Sequence, residues 1–385
     1  MRDYTRPSDR LANAGVRVIG HRQGGRITQG LWLNWLVFVA AGSGGFLAGG
    51  WLAWRWMQPN LIPAHPTVDV SQAWEPSADT PAEQLIYNVR TAPPTTYSPE
   101  LQEIVNRMVA WVQEQGLPLP ALSITLMDVT RPEALQIAGY QQQQLRYPAS
   151  VVKLFWLVAF LAYEQAGKLT PATVATIDLA AMMQQSSNDV ASAVVDAMTG
   201  TTSGDALPRE QFVQWRQQRE QLSHFFRAAG YGYLNVQHKN FPIYHLGQEE
   251  PQGRELQLRG GNEQPSRNLL STWQTARLLY EIYSLQAVSP RMSRQMQRWM
   301  ERPPDGRSQN WAGFLGAALP GDALVMGKEG QTSATRHDGV IVTRSDGRLA
   351  YILVVFGDDP AYSADDRFLP ALDRLVWQAM NRRYP

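Results

Sequence analysis

Residues 31–54, "LWLNWLVFVAAGSGGFLAGGWLAW", contain no charged side chain. A helix rises about 1.5 Å per residue, so this run covers a hydrocarbon core of roughly 30 Å. Trp32 and Trp35 stand near one end, and Trp51, Trp54 and Trp56 near the other, as interfacial aromatics do. Arg2, Arg6, Arg10, Arg17, Arg22 and Arg26 precede the run, whereas the next Lys or Arg after Arg55 is Arg90. The positive-inside rule therefore makes 1–30 a cytoplasmic segment and 31–56 a single-pass membrane anchor. Everything after it is expected on the periplasmic or outer side. A cleaved signal peptide would have a shorter apolar core and a small-residue cleavage site, and a buried core helix would show a polar face. The run fits neither.

Residues 57–97 are rich in proline, as in "QPNLIPAHPTVDV" and "RTAPPTTYSPE", and hold no steady period. They read as an extended linker between the anchor and one domain, 98–385. The chain of 385 residues carries a formal charge of +1, which gives no pull toward nucleic acid. It has no cysteine, which excludes disulfides, thiolate metal sites and a cysteine nucleophile. Its six histidines show no ligand spacing, so neither a metal nor any other cofactor is expected. Nothing in the sequence fixes the oligomeric state.

Within 98–385, Ser98 and Pro99 open a helix with Leu101, Ile104, Val105, Met108, Val109 and Val112 on one face. "ALSITLMDV" alternates as a strand with one buried face, and "EALQIAGY" is its hairpin partner. Helical patterns fill 150 to about 300. Strands return at "DALVMGK", "DGVIVT" and "LAYILVVF", and a last helix spans 366–382. This order predicts an α+β fold: an antiparallel sheet flanked by N- and C-terminal helices, plus a helical lobe, with a cleft between lobe and sheet.

The chain has only four lysines against thirty-one arginines. One of them lies in "YPASVVKLFW", three residues after Ser150 at the start of an apolar helix. Positions i and i+3 share a helix face, so Ser150 and Lys153 can touch. A serine hydroxyl attacks a carbonyl only when a neighbour takes its proton. A desolvated lysine can do so, whereas arginine keeps its charge at any useful pH. The motif alone is weak, since it arises by chance about once in a chain of this length. Two further elements join it. "MMQQSSNDVAS" holds Ser186, Ser187 and Asn188, and "VMGKEGQTSATRHDGVIV" holds Lys328, Glu329 and Gly330 at a strand end. Lys168 and Lys239 read as solvated surface positions.

These three motifs, in this order, resemble those of the serine β-lactamase and penicillin-binding-protein superfamily, nearest its class A β-lactamase-like branch. The resemblance covers about 98–385. It implies that Ser150 becomes acylated with Lys153 as its base. Ser186 would relay a proton to the leaving nitrogen, and Asn188 would bond Lys153 or substrate. Lys328 would hold the Ser186 hydroxyl, and the N–H groups of Ser150 and Gln331, beside Gly330, would form an oxyanion hole. A β-lactam or cell-wall peptide is the implied substrate of such a membrane-anchored serine acyl hydrolase. The implied alternatives are a peptidoglycan D,D-peptidase or esterase on the same machinery, or a catalytically decayed wall-binding module.

The sequence departs from the family pattern in three places. Glu329 replaces a threonine whose hydroxyl helps bind a substrate carboxylate, so it must turn away or pair with an arginine such as Arg336. The stretch from Ser186 to Lys328 is long, so the helical lobe must be remodelled. The glutamate that releases the acyl group in class A enzymes has only Glu255 and Glu263 as counterparts, and both read as solvated loop charges. Arg336 is also a candidate for binding an anionic substrate group. His337 and Asp338 are expected to fix a turn between strands.

Overall fold

The computed structural model describes residues 85–260, 265–305 and 310–385. The expected anchor, its cytoplasmic lead and most of the linker lie outside the described residues. Among the described residues, no helix is long and apolar enough to cross a membrane.

Six strands are described: β1 (Thr96–Tyr97), β2 (Leu122–Asp128), β3 (Gln136–Tyr140), β4 (Ala323–Thr332), β5 (Thr335–Arg344) and β6 (Ala350–Gly357). They form one sheet in the order β1-β3-β2-β6-β5-β4. The β2–β3 and β5–β6 hairpins pair as the sequence suggests, with Leu126 opposite Ala138 and Ile341 opposite Ile352. The sheet is not wholly antiparallel: β1 runs parallel to β3, with Thr96 opposite Gln136. Chain from the linker joins the sheet edge just before the first helix, a pairing that no local signal encodes.

The helices, in chain order, are α1 (Pro99–Glu114), α2 (Lys153–Gln165), α3 (Pro171–Thr176), α4 (Leu179–Gln184), α5 (Asn188–Thr199), α6 (Arg209–Phe226), α7 (Gly253–Arg259), α8 (Thr272–Tyr283), α9 (Pro290–Met300), α10 (Pro360–Ala364) and α11 (Phe368–Arg383). Ser98 caps α1 by accepting from the Leu101 N–H, and Leu101, Ile104, Val105, Met108 and Val112 are its buried face. The sequence predicts these contacts, whereas Val109, expected on the same face, is only partly buried.

Both faces of the sheet are covered, which corrects the expectation of one buried face for β2. Leu122, Ile124 and Leu126, with Tyr351, Leu353 and Val355, pack against α1 and α11. Met127, Ile352, Val354 and Phe356 face the other cluster, toward α8 and the helical lobe. The polar alternation of β2 is buried because it has partners. Thr125 bonds Thr272 at 2.8 Å, and Ser123 Oγ accepts from Arg146 Nε at 2.8 Å.

All residues of α2 from Lys153 to Leu161 are buried, so this helix is the axis of the lobe. Around it Phe155, Phe226, Tyr231 and Tyr87 form a ring cluster with centroids 5.0–6.1 Å apart. Tyr87 belongs to the stretch expected to be a spacer, yet it is fully buried and its N–H bonds Phe225 O at 3.2 Å. Asn88 and Val89 are tied down as well, to Gln286, Val288 and Arg277. The folded domain therefore starts by residue 85, ahead of the expected boundary.

Candidate active site

Ser150 lies in a single 3-10 turn, Ala149–Val152, that leads into α2. Ala149 sits at φ +46°, a left-handed conformation that costs an L-residue of order 1 kcal/mol and needs outside support. Three contacts supply it. The His337 ring bonds Tyr147 O at 2.9 Å, and Asn240 Nδ2 donates to Ala149 O at 3.3 Å. The third is β4: a side chain at Gly330 would meet Pro148 O at 2.8 Å and Ser150 N at 3.0 Å, so this position must be glycine.

Lys153 is fully buried, yet its amine is surrounded by oxygens. It lies 3.1 Å from Ser150 Oγ, 2.6 Å from Ser186 O, 3.2 Å from Ser186 Oγ and 2.7 Å from Asn188 Oδ1. Burial, reinforced by the nearby Lys328 charge, holds its pKa well below the ordinary lysine value, with Glu329 acting the other way. A neutral amine has two N–H donors and one lone pair. The shortest contacts, to Ser186 O and Asn188 Oδ1, suit the two donors. The lone pair is then left for the Ser150 hydroxyl.

Ser186 stands between α4 and α5 at φ +55°, a second left-handed non-glycine residue at this site. Ser187 caps α5 by accepting from Val190 N at 3.3 Å, and Asn188 opens the helix. This cap aims the Asn188 carbonyl and the Ser186 backbone at one amine.

Lys328 is fully buried on β4. Its ammonium pairs with its neighbour Glu329, and no hydrogen bond to Ser186 is made among the described residues. Glu329 also meets Arg302 at 3.4 Å and accepts from Trp311 Nε1 at 3.2 Å. Burial pushes its pKa up, but Lys328 and Arg302 pull harder, and the net shift is downward. Its arginine partner is thus Arg302, not Arg336. Arg302 in turn grips Asp338 through two 2.8 Å bonds.

Arg336, the candidate for an anionic substrate group, has protein carbonyls as its partners. It is buried, donating to Gly313 O at 3.0 Å and Ser363 O at 2.9 Å. His337 and Asp338 lie within β5, not in a turn. Burial lowers the His337 pKa to about 3, so its ring is a neutral brace for the strand before Ser150. Gln331 is exposed beside Gly330, opposite Arg336 in the ladder.

The two carboxylate candidates fare differently. Glu263 lies outside the described residues. Glu255 is neither solvated nor in a loop: it sits on α7, 2% exposed, with Arg219 at 2.9 Å, Ser203 at 2.8 Å and Lys239 at 3.8 Å. Lys239 is likewise buried, held by Asp196 at 2.7 Å, which corrects its reading as a surface residue. Sequence reasoning missed Arg302, Trp311 and Asn240 because each acts on a partner at least 18 positions away and belongs to no local pattern.

Beside this cluster opens a cavity of about 380 Å³, bounded by Tyr147, Lys239, Arg259, Arg267 and Thr332. Its lining includes Tyr147 and Thr332, which flank the nucleophile turn and the Lys328 strand in sequence, but not Ser150, Lys153, Ser186 or Lys328 themselves.

A lysine buried between two serines, at the seam of a helical lobe and a sheet backed by terminal helices, marks the serine hydrolases of the β-lactamase and penicillin-binding-protein superfamily. A family model described as Beta-lactamase enzyme family matches residues 103–380, and the chain belongs to that family. Comparison with curated proteins finds no match. Among solved structures it is similar to PBP-A, with 17% identity over 76% of this chain and 100% of that one, at a TM-score of 0.49. A β-lactamase from Xanthomonas campestris is 17% identical over 72% of this chain and 98% of that one, at 0.49. A class A β-lactamase from Bacteroides cellulosilyticus is 14% identical over 74% and 99%, at 0.48.

Proposed function

We propose that this serine hydrolase opens amide carbonyls of β-lactams or wall peptides through an acyl-Ser150 intermediate, while residues 31–56 tether it to a membrane with the domain on the periplasmic side. The observation that carries the reading is the convergence of Ser150, Ser186 and Asn188 on one buried amine, whose pKa burial and the Lys328 charge hold well below the ordinary lysine value. Lys153 takes the Ser150 proton as Oγ bonds to the substrate carbonyl carbon. The oxyanion rests on the Ser150 and Gln331 N–H groups, each such donor being worth about 2.7–4 kcal/mol of barrier. Ser186, 3.2 Å from the amine, passes the proton to the leaving nitrogen. The tether rests on the charge-free run, its tryptophans and the arginines before it.

A D,D-peptidase reading is supported by one observation: Glu255, a candidate for the carboxylate that would release the acyl group, is held by Arg219 at 2.9 Å. The deciding experiment follows labelled penicillin on the wild type and Ser150→Ala by intact-mass measurement. A single adduct on the wild type and none on the variant supports acylation. A long-lived adduct marks the peptidase, and rapid release marks the β-lactamase. Absence of any adduct, with wall fragments still bound, identifies a non-catalytic binding module.

A further inference from the structure

β4 is an edge strand of the sheet. The Arg302 N–H bonds its Val325 O at 2.8 Å, and the strand then runs on to the nucleophile turn, where a side chain at Gly330 would meet Ser150 N at 3.0 Å. An acyl donor bonded to Ser150 therefore lies beside this part of β4. Four charges gather there: Lys328 pairs with Glu329, Glu329 with Arg302 at 3.4 Å, and Arg302 with Asp338 at 2.8 Å. Asp338 stands opposite Glu329 in the ladder, so the four form one connected group. Two cations and two carboxylates cancel, and the group holds no spare cation for an anionic ligand.

The accessible end of this group is negative. The Lys328 side chain is 0% exposed, whereas that of Glu329 is 14% exposed. Glu329 is ionised, because Lys328 and Arg302 outweigh the effect of its burial. Its Oε2 accepts from Arg302 and Trp311, but its Oε1 accepts only from Lys328, so a lone pair is left for a further N–H donor. In the acyl-Ser150 reading the leaving nitrogen meets Ser186, 3.2 Å from the Lys153 amine, and Lys328 and Glu329 both act through space on that amine. A substituent on the leaving nitrogen is thus within the field of the pair. A second carboxylate there meets like charge, while an amide N–H meets an acceptor. The cavity that Arg259 and Arg267 border is lined by Thr332–Thr335 and not by Lys328 or Glu329.

We infer that Glu329 is a specificity-determining residue: it supplies a built-in carboxylate on the leaving-group side of the site, and the favoured acyl donors carry an uncharged amide there in place of a free carboxylate. The inference deepens the acyl-Ser150 reading and rests on it. The step itself is unchanged. Ser150 Oγ bonds to the carbonyl carbon, the carbon–nitrogen bond breaks, and the Ser150 proton passes by way of Lys153 and Ser186 to the leaving nitrogen. Among wall peptides, Glu329 selects those whose carboxyl beside the scissile bond is amidated or continues into a further peptide bond, and it rejects those that end in a free acid.

The test uses the full chain and two labelled penicillins that differ only at the carboxyl next to the lactam nitrogen, one the free carboxylate and the other its primary carboxamide. Each acylation rate is divided by the rate at which hydroxide opens the same compound, which removes the intrinsic reactivity of the ring. The wild type is expected to favour the carboxamide about tenfold or more. Glu329→Gln should raise the rate with the carboxylate, relative to the carboxamide, by about tenfold or more. Glu329→Asp keeps the charge and should keep the preference. A changed proton affinity of Lys153 acts on both compounds alike and drops out of the ratio. A wild type that favours the carboxylate overturns the inference, as does a preference that stays the same in Glu329→Gln. If Glu329→Asp loses the preference as fully as Glu329→Gln, shape and not charge sets it, and the inference falls. Should Glu329→Gln fail to fold, Glu329→Met takes its place with the same expectation. A wild type that acylates with neither compound overturns the parent reading instead, and this inference with it.

Discussion

Lys153 Nζ stands 2.7 Å from Asn188 Oδ1 and so reaches across the seam between α2 and α5. One amine thereby joins the nucleophile turn to the second motif, and the state of its proton decides whether Ser150 can attack.

Acylation should rise with pH as Lys153 loses its proton, at a pH well below the ordinary lysine value, because burial and the Lys328 charge disfavour the ammonium form. Glu329 favours that form. Glu329→Gln should therefore move the acid limb of the acylation profile to lower pH. Acylation rates with labelled penicillin between pH 5 and 10 check this, and a limb that stays in place counts against it.

Lys153→Arg keeps a cation of similar reach but cannot release a proton near neutral pH. Loss of Ser150 acylation by roughly a thousandfold is expected, in line with the non-additive loss of a unit that includes nucleophile and base. Because the site is fully buried, a fixed guanidinium charge there should also lower the thermal transition, so acylation is compared at a temperature where circular dichroism reports both proteins folded. A variant that acylates at a rate close to the wild type would remove Lys153 from the chemistry.

Gly330→Ala forces a methyl group to 2.8 Å from Pro148 O and 3.0 Å from Ser150 N. β4 must retreat from the nucleophile turn, and the Gln331 N–H retreats with it. The expected result is a 10²–10³-fold slower acylation, of the order seen when an oxyanion donor is removed. Circular dichroism should still report the native fold.

Arg302→Met leaves Asp338 without its cation in a fully buried site. Breaking one side of such a pair typically costs about 3–5 kcal/mol, which denaturant unfolding would read. Glu329 also loses a partner, so the acylation profile of this variant should shift as well.

The ring cluster around Tyr87 predicts that a chain beginning at residue 98 is less stable than one beginning at 85. Tyr87→Ala alone should cost about 3–5 kcal/mol, the range for removing a buried aromatic side chain. Equal melting temperatures for the two chains would return 85–97 to the status of a spacer.

The sequence by itself determined what local spacing can determine. A Ser and a Lys three apart on a helix must share a face, a serine before a proline caps α1, and alternation sets the strands and hairpins. That Ser186 and Asn188 share a site with Ser150 and Lys153 was implied only by the resemblance of the three motifs to a known family, and the structure brings them together on one amine. Only the tertiary structure decided the rest. Whether a charge is solvated depends on what packs over it, so Lys239 and Glu255 looked exposed until α5, α6 and α7 enclosed them. Glu329 found Arg302 rather than Arg336, and a short piece of the linker became a parallel edge strand. Those outcomes depend on which distant groups share a low-dielectric interior, where each buried charge or backbone group must find a partner, and no window of sequence contains that information.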